Sequence, residues 1–118
     1  MEIGIDLGLK AIGKILQIKN AKKRREELQK WYDDNTLKHY VINLRSKYGI
    51  ELINKIAYAA TADFGASNVK GSAKAALMDL ENEAPNIVKI LNVFRENNLI
   101  DRTKKLWKYC MDATKGNL

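Results

Sequence analysis

Apolar residues recur at helical spacing along nearly the whole chain, and no run alternates with period two for long enough to make a strand. Glycine, one proline and small Asn/Asp/Ser clusters punctuate the pattern at short intervals. These three observations predict an all-α fold, a single-domain array of five or six helices with a long N-terminal helix. The domain spans 1–118, divided into that helix over 1–32, apolar at its start and basic in its middle, and a helical core over 36–118. A chain of 118 residues is long enough to bury a core without disulfides or metals.

The first element centres on residues 3–18, IGIDLGLKAIGKILQI. At about 100° per residue, Asp6, Lys10, Lys14 and Gln17 fall on one narrow stripe, and the remainder of the cylinder before Ile18 is apolar or glycine. Gly4, Gly8 and Ala11 align at i, i+4 and i+7, leaving a flank of nearly bare backbone that a second helix could approach closely. A glycine costs about 1 kcal/mol of helix propensity, which a purely internal helix would avoid by using alanine. The face formed by Gly4, Ile5, Gly8, Leu9, Ile12, Ile15 and Leu16 is therefore expected to dock onto a protein partner or a second copy of the chain. The competing reading makes the same face the centre of the domain's own core.

Between Lys19 and Glu27 there is no large apolar residue, so the helix is expected to continue there as a solvated segment. Opposite charges at i, i+4 (Lys22 with Glu26, Lys23 with Glu27) support that continuation. Leu28, Trp31 and Tyr32 restore an apolar patch before Asp33, Asp34 and Asn35 break the pattern. Thr36 is positioned to cap a second helix with a stripe of Leu37, Tyr40, Val41, Leu44 and Tyr48, ending at Gly49. A third, rich in alanine, carries Ile53, Ile56, Ala57, Ala60 and Phe64 and ends at Gly65. Ser67 or Ser72 begins a fourth bearing Val69, Ala73, Ala76, Leu77 and Leu80. Pro85 opens a fifth, with Ile87, Ile90, Leu91 and Phe94, that runs out at Asn97 and Asn98. Asp101 caps the last, where Leu106, Cys110 and Ala113 share a face beside Trp107 and Met111.

The net charge of +7 is uneven. Residues 1–48 hold eleven Lys or Arg against six Asp or Glu, whereas 49–118 hold ten against eight, so an anionic partner is drawn to the N-terminal part. The run Lys19, Lys22, Lys23, Arg24 and Arg25 could engage polyphosphate without regard to sequence, or simply be a solvated helix face partly neutralised by Glu26 and Glu27. Cys110 stands alone, which excludes an internal disulfide and a multi-cysteine zinc site and suits a reducing, cytoplasmic setting. Glu2 and Asp6 stand where a secretory signal needs positive charge, and no apolar run approaches the roughly 18–20 residues of a membrane span.

No catalytic constellation stands out. His39 lies beside the stripe of the second helix, about seventy residues from Cys110, and Cys110 itself sits on an apolar face. Asp79 and Glu83 share a helical face at i, i+4, but no Glu-x-x-His accompanies them, so a solvated helix end is the expectation and no metal or cofactor is assigned. A calcium loop from Asp33 fails because Lys38 stands where glycine is required. Ala57 to Leu77 has the outline of a helix-turn-helix about Gly65, but Thr61 and Gly71 occupy two anchoring positions, which argues against sequence-specific DNA reading.

The expectation is a basic, helical binding or assembly protein without enzymatic activity or small-molecule substrate, of the accessory or inhibitor type and including phage proteins. The alternative is a component of a virion or membrane-associated assembly, its first helix in a bilayer or packed in a ring and its basic run on nucleic acid or lipid headgroups.

Overall fold

The structure, a computed structural model, describes residues 9–64 and 70–118, and every regular element among them is an α-helix. In chain order these are α1 (Gly13–Leu16), α2 (Ala21–Trp31), α3 (Asp34–Tyr48), α4 (Ile50–Thr61), α5 (Lys70–Glu83), α6 (Pro85–Glu96) and α7 (Ile100–Thr114).

The long first helix is the main correction. Its described part is interrupted: α1 is a single turn, and the chain leaves the helix at Gln17 before restarting at Ala21. Asn20 decides the break. Its backbone is extended, and its side-chain oxygen accepts the Lys23 backbone N–H at 3.0 Å, a cap that an uninterrupted helix would forgo. Arg24 then fixes the linker, donating from its guanidinium to the Ile18 carbonyl and, through Nε, to Asn97 Oδ1, each at 2.7 Å. The opposite-charge support along α2 comes from Lys30 and Glu27 at 3.6 Å.

Asp33, Asp34 and Asn35 do separate two helices, but they start α3 as well as ending α2. Asp33 is the cap, its carboxylate accepting the Thr36 N–H at 2.8 Å, and Thr36 is buried one turn inside. Asp34 in the first turn complements the helix dipole. Gly49 joins α3 to α4 at φ +87° and ψ 176°, a conformation essentially reserved for glycine. α4 ends at Thr61, ahead of the expected Gly65, and both Gly65 and the proposed Ser67 cap and Val69 lie outside the described residues, as does the turn of the helix-turn-helix outline.

Pro85 occupies the start of α6. The far end of α6 is a Schellman motif: Asn98 takes φ +56°, Leu99 N–H reaches the Phe94 carbonyl at 2.8 Å, and Asn98 N–H reaches Arg95 at 3.3 Å. Leu99 is the N-cap residue of α7 and supplies no side-chain cap, and Asp101 sits within the first turn instead of capping it. The same motif closes α7, with Gly116 at φ +76° and Asn117 N–H on the Asp112 carbonyl.

α4 is the hub, packed most extensively on α5 and α7 and also on α3. Seven of its twelve residues are buried, and three of these are alanines (Ala57, Ala59, Ala60), so its neighbours approach closely. Ile12, Leu28, Tyr32, Leu37, Ile53 and Phe94 belong to the same continuous core, with the Tyr32 and Phe94 rings edge-to-face at 5.1 Å.

Two pairs of substitutions probe this packing. Ala60→Leu should overfill the α4 interface and cost about 1–3 kcal/mol, while Ala62→Leu, on an exposed position one turn-residue beyond α4, should change the urea midpoint little. Arg24→Ala should cost about 2 kcal/mol through loss of its two charged hydrogen bonds, whereas Arg25→Ala should stay within about 0.5 kcal/mol. Equal effects of the two arginine variants would show that the Arg24 strut contributes nothing.

Candidate functional site

The residues expected to form an apolar docking face divide three ways. Gly4, Ile5 and Gly8 lie outside the described residues. Ile12 is wholly buried in the chain's own core, and Leu9 and Ile15 are half-buried against that core. Only Leu16 among the described four is substantially exposed, at 39 %. Three of the four described residues of the face thus meet the chain's own core, and Leu16 does not.

The basic run also divides. Lys19, Lys22, Lys23 and Arg25 are exposed and take part in no ion pair among the described residues, whereas Arg24 is half-buried and holds the linker to the end of α6. A cleft of about 270 Å³ opens between the first turn of α2 and the end of α6, lined by Lys22, Arg24 and Arg25 on one side and by Glu96, Asn97 and Asn98 on the other. Lys22, Lys23 and Arg25 therefore stand near a helix N-terminus, where the backbone dipole adds to their positive field.

Some other charges are paired between elements. Lys55 of α4 reaches Asp79 at 3.6 Å and both oxygens of Glu83 at 3.0 Å on α5, so the paired carboxylates hold an ammonium. The hydrogen bond from Lys55 to Glu83 is the main cause that raises the lysine above its ordinary value. Arg95 donates to Asp63 at 2.8 Å, and Arg102 donates to the Tyr32 carbonyl at 2.9 Å and to Asp34 at 3.1 Å. Burial pushes the nearby Tyr109 hydroxyl up, and the negative charge of Asp34 adds to the effect.

The reactive side chains are placed apart. His39 is exposed, with Nδ1 2.9 Å from the Asn35 carbonyl; an oxygen there can only accept, so Nδ1 is the donor in that bond. Cys110 is fully buried, and desolvation raises its thiol far above the ordinary value.

One cationic surface escaped the sequence reading. Arg102, Lys104, Lys105 and Lys108 on α7 border a cleft of about 590 Å³ whose apolar wall is Trp107 and Phe64. Its signal is present in the run RTKKLWKY, residues 102–109, but Trp107 reads there as one more core position beside Cys110.

A buried thiol of this kind has two measurable consequences. Alkylating reagents should leave Cys110 unmodified in the native protein and label it fully in denaturant. Above pH 9.0, the ordinary thiol value, the unfolded chain ionises while the folded one stays neutral, so the folded state binds more protons and stability falls as pH rises. The stability of the wild type relative to Cys110→Ala should decline by about 1.4 kcal/mol per pH unit in that range, and a pH-independent difference would contradict the buried neutral thiol. Comparison of the chain with protein families, with curated proteins and with solved structures finds no match.

Proposed function

We propose that this chain is a small non-enzymatic binding protein, of accessory or assembly type, that holds a polyanionic partner against its basic helical surface. The observation that carries the reading is the state of Lys22, Lys23 and Arg25: exposed, free of ion pairs among the described residues, and set at the start of α2 beside a cleft. Cations so placed attract phosphates by charge and counterion release, which favours a sequence-independent nucleic-acid contact over a base-reading one. A binding role is also supported by the burial of Cys110, the isolation of His39 on an exposed helix flank, and the neutralisation of Asp79 and Glu83 by Lys55. Docking through the N-terminal apolar face, onto a protein or a second copy, loses support because Ile12 is enclosed and Leu9 and Ile15 lean on the core. No helix among the described residues is long and apolar enough to cross a membrane.

Fluorescence anisotropy with labelled duplex DNA at increasing salt tests the proposal. The wild type should bind at low salt with a steep salt dependence. Replacing Lys22, Lys23 and Arg25 together by glutamine should reduce the slope of log K against log salt by about two to three, and an unchanged slope would leave these side chains as a solvated face only.

A further inference from the structure

We infer that the cleft between Phe64 and α7 is a seat for single-stranded nucleic acid, with bases against Trp107 and Phe64 and phosphates on Lys104 and Lys108. The inference rests on the polyanion reading above and names the partner's form.

Two features coincide there. The Trp107 and Phe64 rings meet edge-to-face, 5.6 Å between centroids at 69°, and both remain half-buried at the wall of an open cleft of about 590 Å³. Such a ring pair holds each partner in place and gives a base an apolar surface against which to lie. The second feature is the charge around it. Lys104 and Lys108 are exposed, enter no ion pair among the described residues, and lie one helical turn apart on the rim, about 6 Å along the axis. Arg102 and Lys105, also on the rim, are turned toward Asp34, at 3.1 and 3.7 Å, and so brace α7 against α3.

Asp101 also lines the cleft, and its carboxylate opposes phosphate. Lying one turn before Lys104 on the same helix, it limits the phosphate contacts of a strand to Lys104 and Lys108. A duplex hides its base faces, and an acidic peptide has no planar π-face to present. The combination of ring wall and lysine rim therefore selects an unpaired strand.

The test uses the full chain carrying Trp31→Phe, which removes the second indole, whose buried N–H has no acceptor among the described residues. Oligothymidylate should quench the remaining Trp107 emission, and Lys104→Gln with Lys108→Gln, both at exposed positions, should weaken its binding severalfold and lower the salt slope by about 1.4. Trp107→Leu should weaken oligothymidylate by about tenfold or more while leaving heparin binding unchanged. Binding of heparin and duplex without quenching by oligothymidylate would overturn the inference and leave the polyanion reading standing, as would equal competition by polyglutamate. Failure to bind heparin, duplex and oligothymidylate alike would remove both.

Discussion

The fold depends on the narrowness of α4. A helix that must touch α3, α5 and α7 at once cannot carry bulk on every side, and the alanines at 57, 59 and 60 are what let those neighbours approach it. Leu52, Ile53 and Ile56 supply the apolar area that the alanines lack, each worth about 1.5–3 kcal/mol when fully buried. Gly49 makes this arrangement reachable, since its backbone turns α3 directly into α4 without an intervening loop. With α4 fixed, α7 closes on α4 and α3 while α6 packs on α5 and α7, and the Schellman turn at Asn98 connects these last two helices.

Part of the charge links elements distant in sequence, mostly through arginine, with Lys55 doing the same between α4 and α5. Arg24, Arg95 and Arg102 each hold geometric hydrogen bonds between elements far apart in sequence, to Asn97, Asp63 and the Tyr32 carbonyl respectively. A planar guanidinium with several fixed donors suits that bridging role. The lysines at 22, 23, 104 and 108 stay in solvent, where a flexible ammonium loses little by waiting for a partner. Net positive charge alone therefore overstates the surface available for binding, because part of it is already used to hold the helices together.

Much of the helical core was legible, for a physical reason: the stripes of α3, α4, α6 and α7 are set by local periodicity, and most residues named on them are buried, with Tyr48 exposed and Phe64 half-buried beyond the end of α4 as the exceptions. What escaped was decided by single side chains or by distant partners. Residues 17–20 carry no glycine or proline to mark a break, and it is the preference of Asn20 for capping over helix interior that separates α1 from α2. Asp33 and Thr36 are both good caps three residues apart, and the structure selects the first. Arg24 cannot be told from Arg25 by neighbours alone, since its defining acceptor is 73 residues away. Trp107 and Lys108 read as core edge and solvated charge until Phe64 is brought beside them.

The two candidate modes of action also differ in what they require of the folded chain. Docking through the N-terminal apolar residues would draw Ile12 out of a core in which it is fully buried, and partner contacts would have to replace about 1.5–3 kcal/mol for that side chain before any net gain. A cationic contact has no such requirement. Lys22, Lys23, Lys104 and Lys108 are already solvated, and bringing phosphate to them leaves every buried contact of α4 intact. Binding that leaves the native packing unchanged avoids the reduction in apparent affinity that a thinly populated competent state imposes, which is the physical basis for proposing the charged helical surfaces, rather than the buried Ile12 and its half-buried neighbours, as a contact.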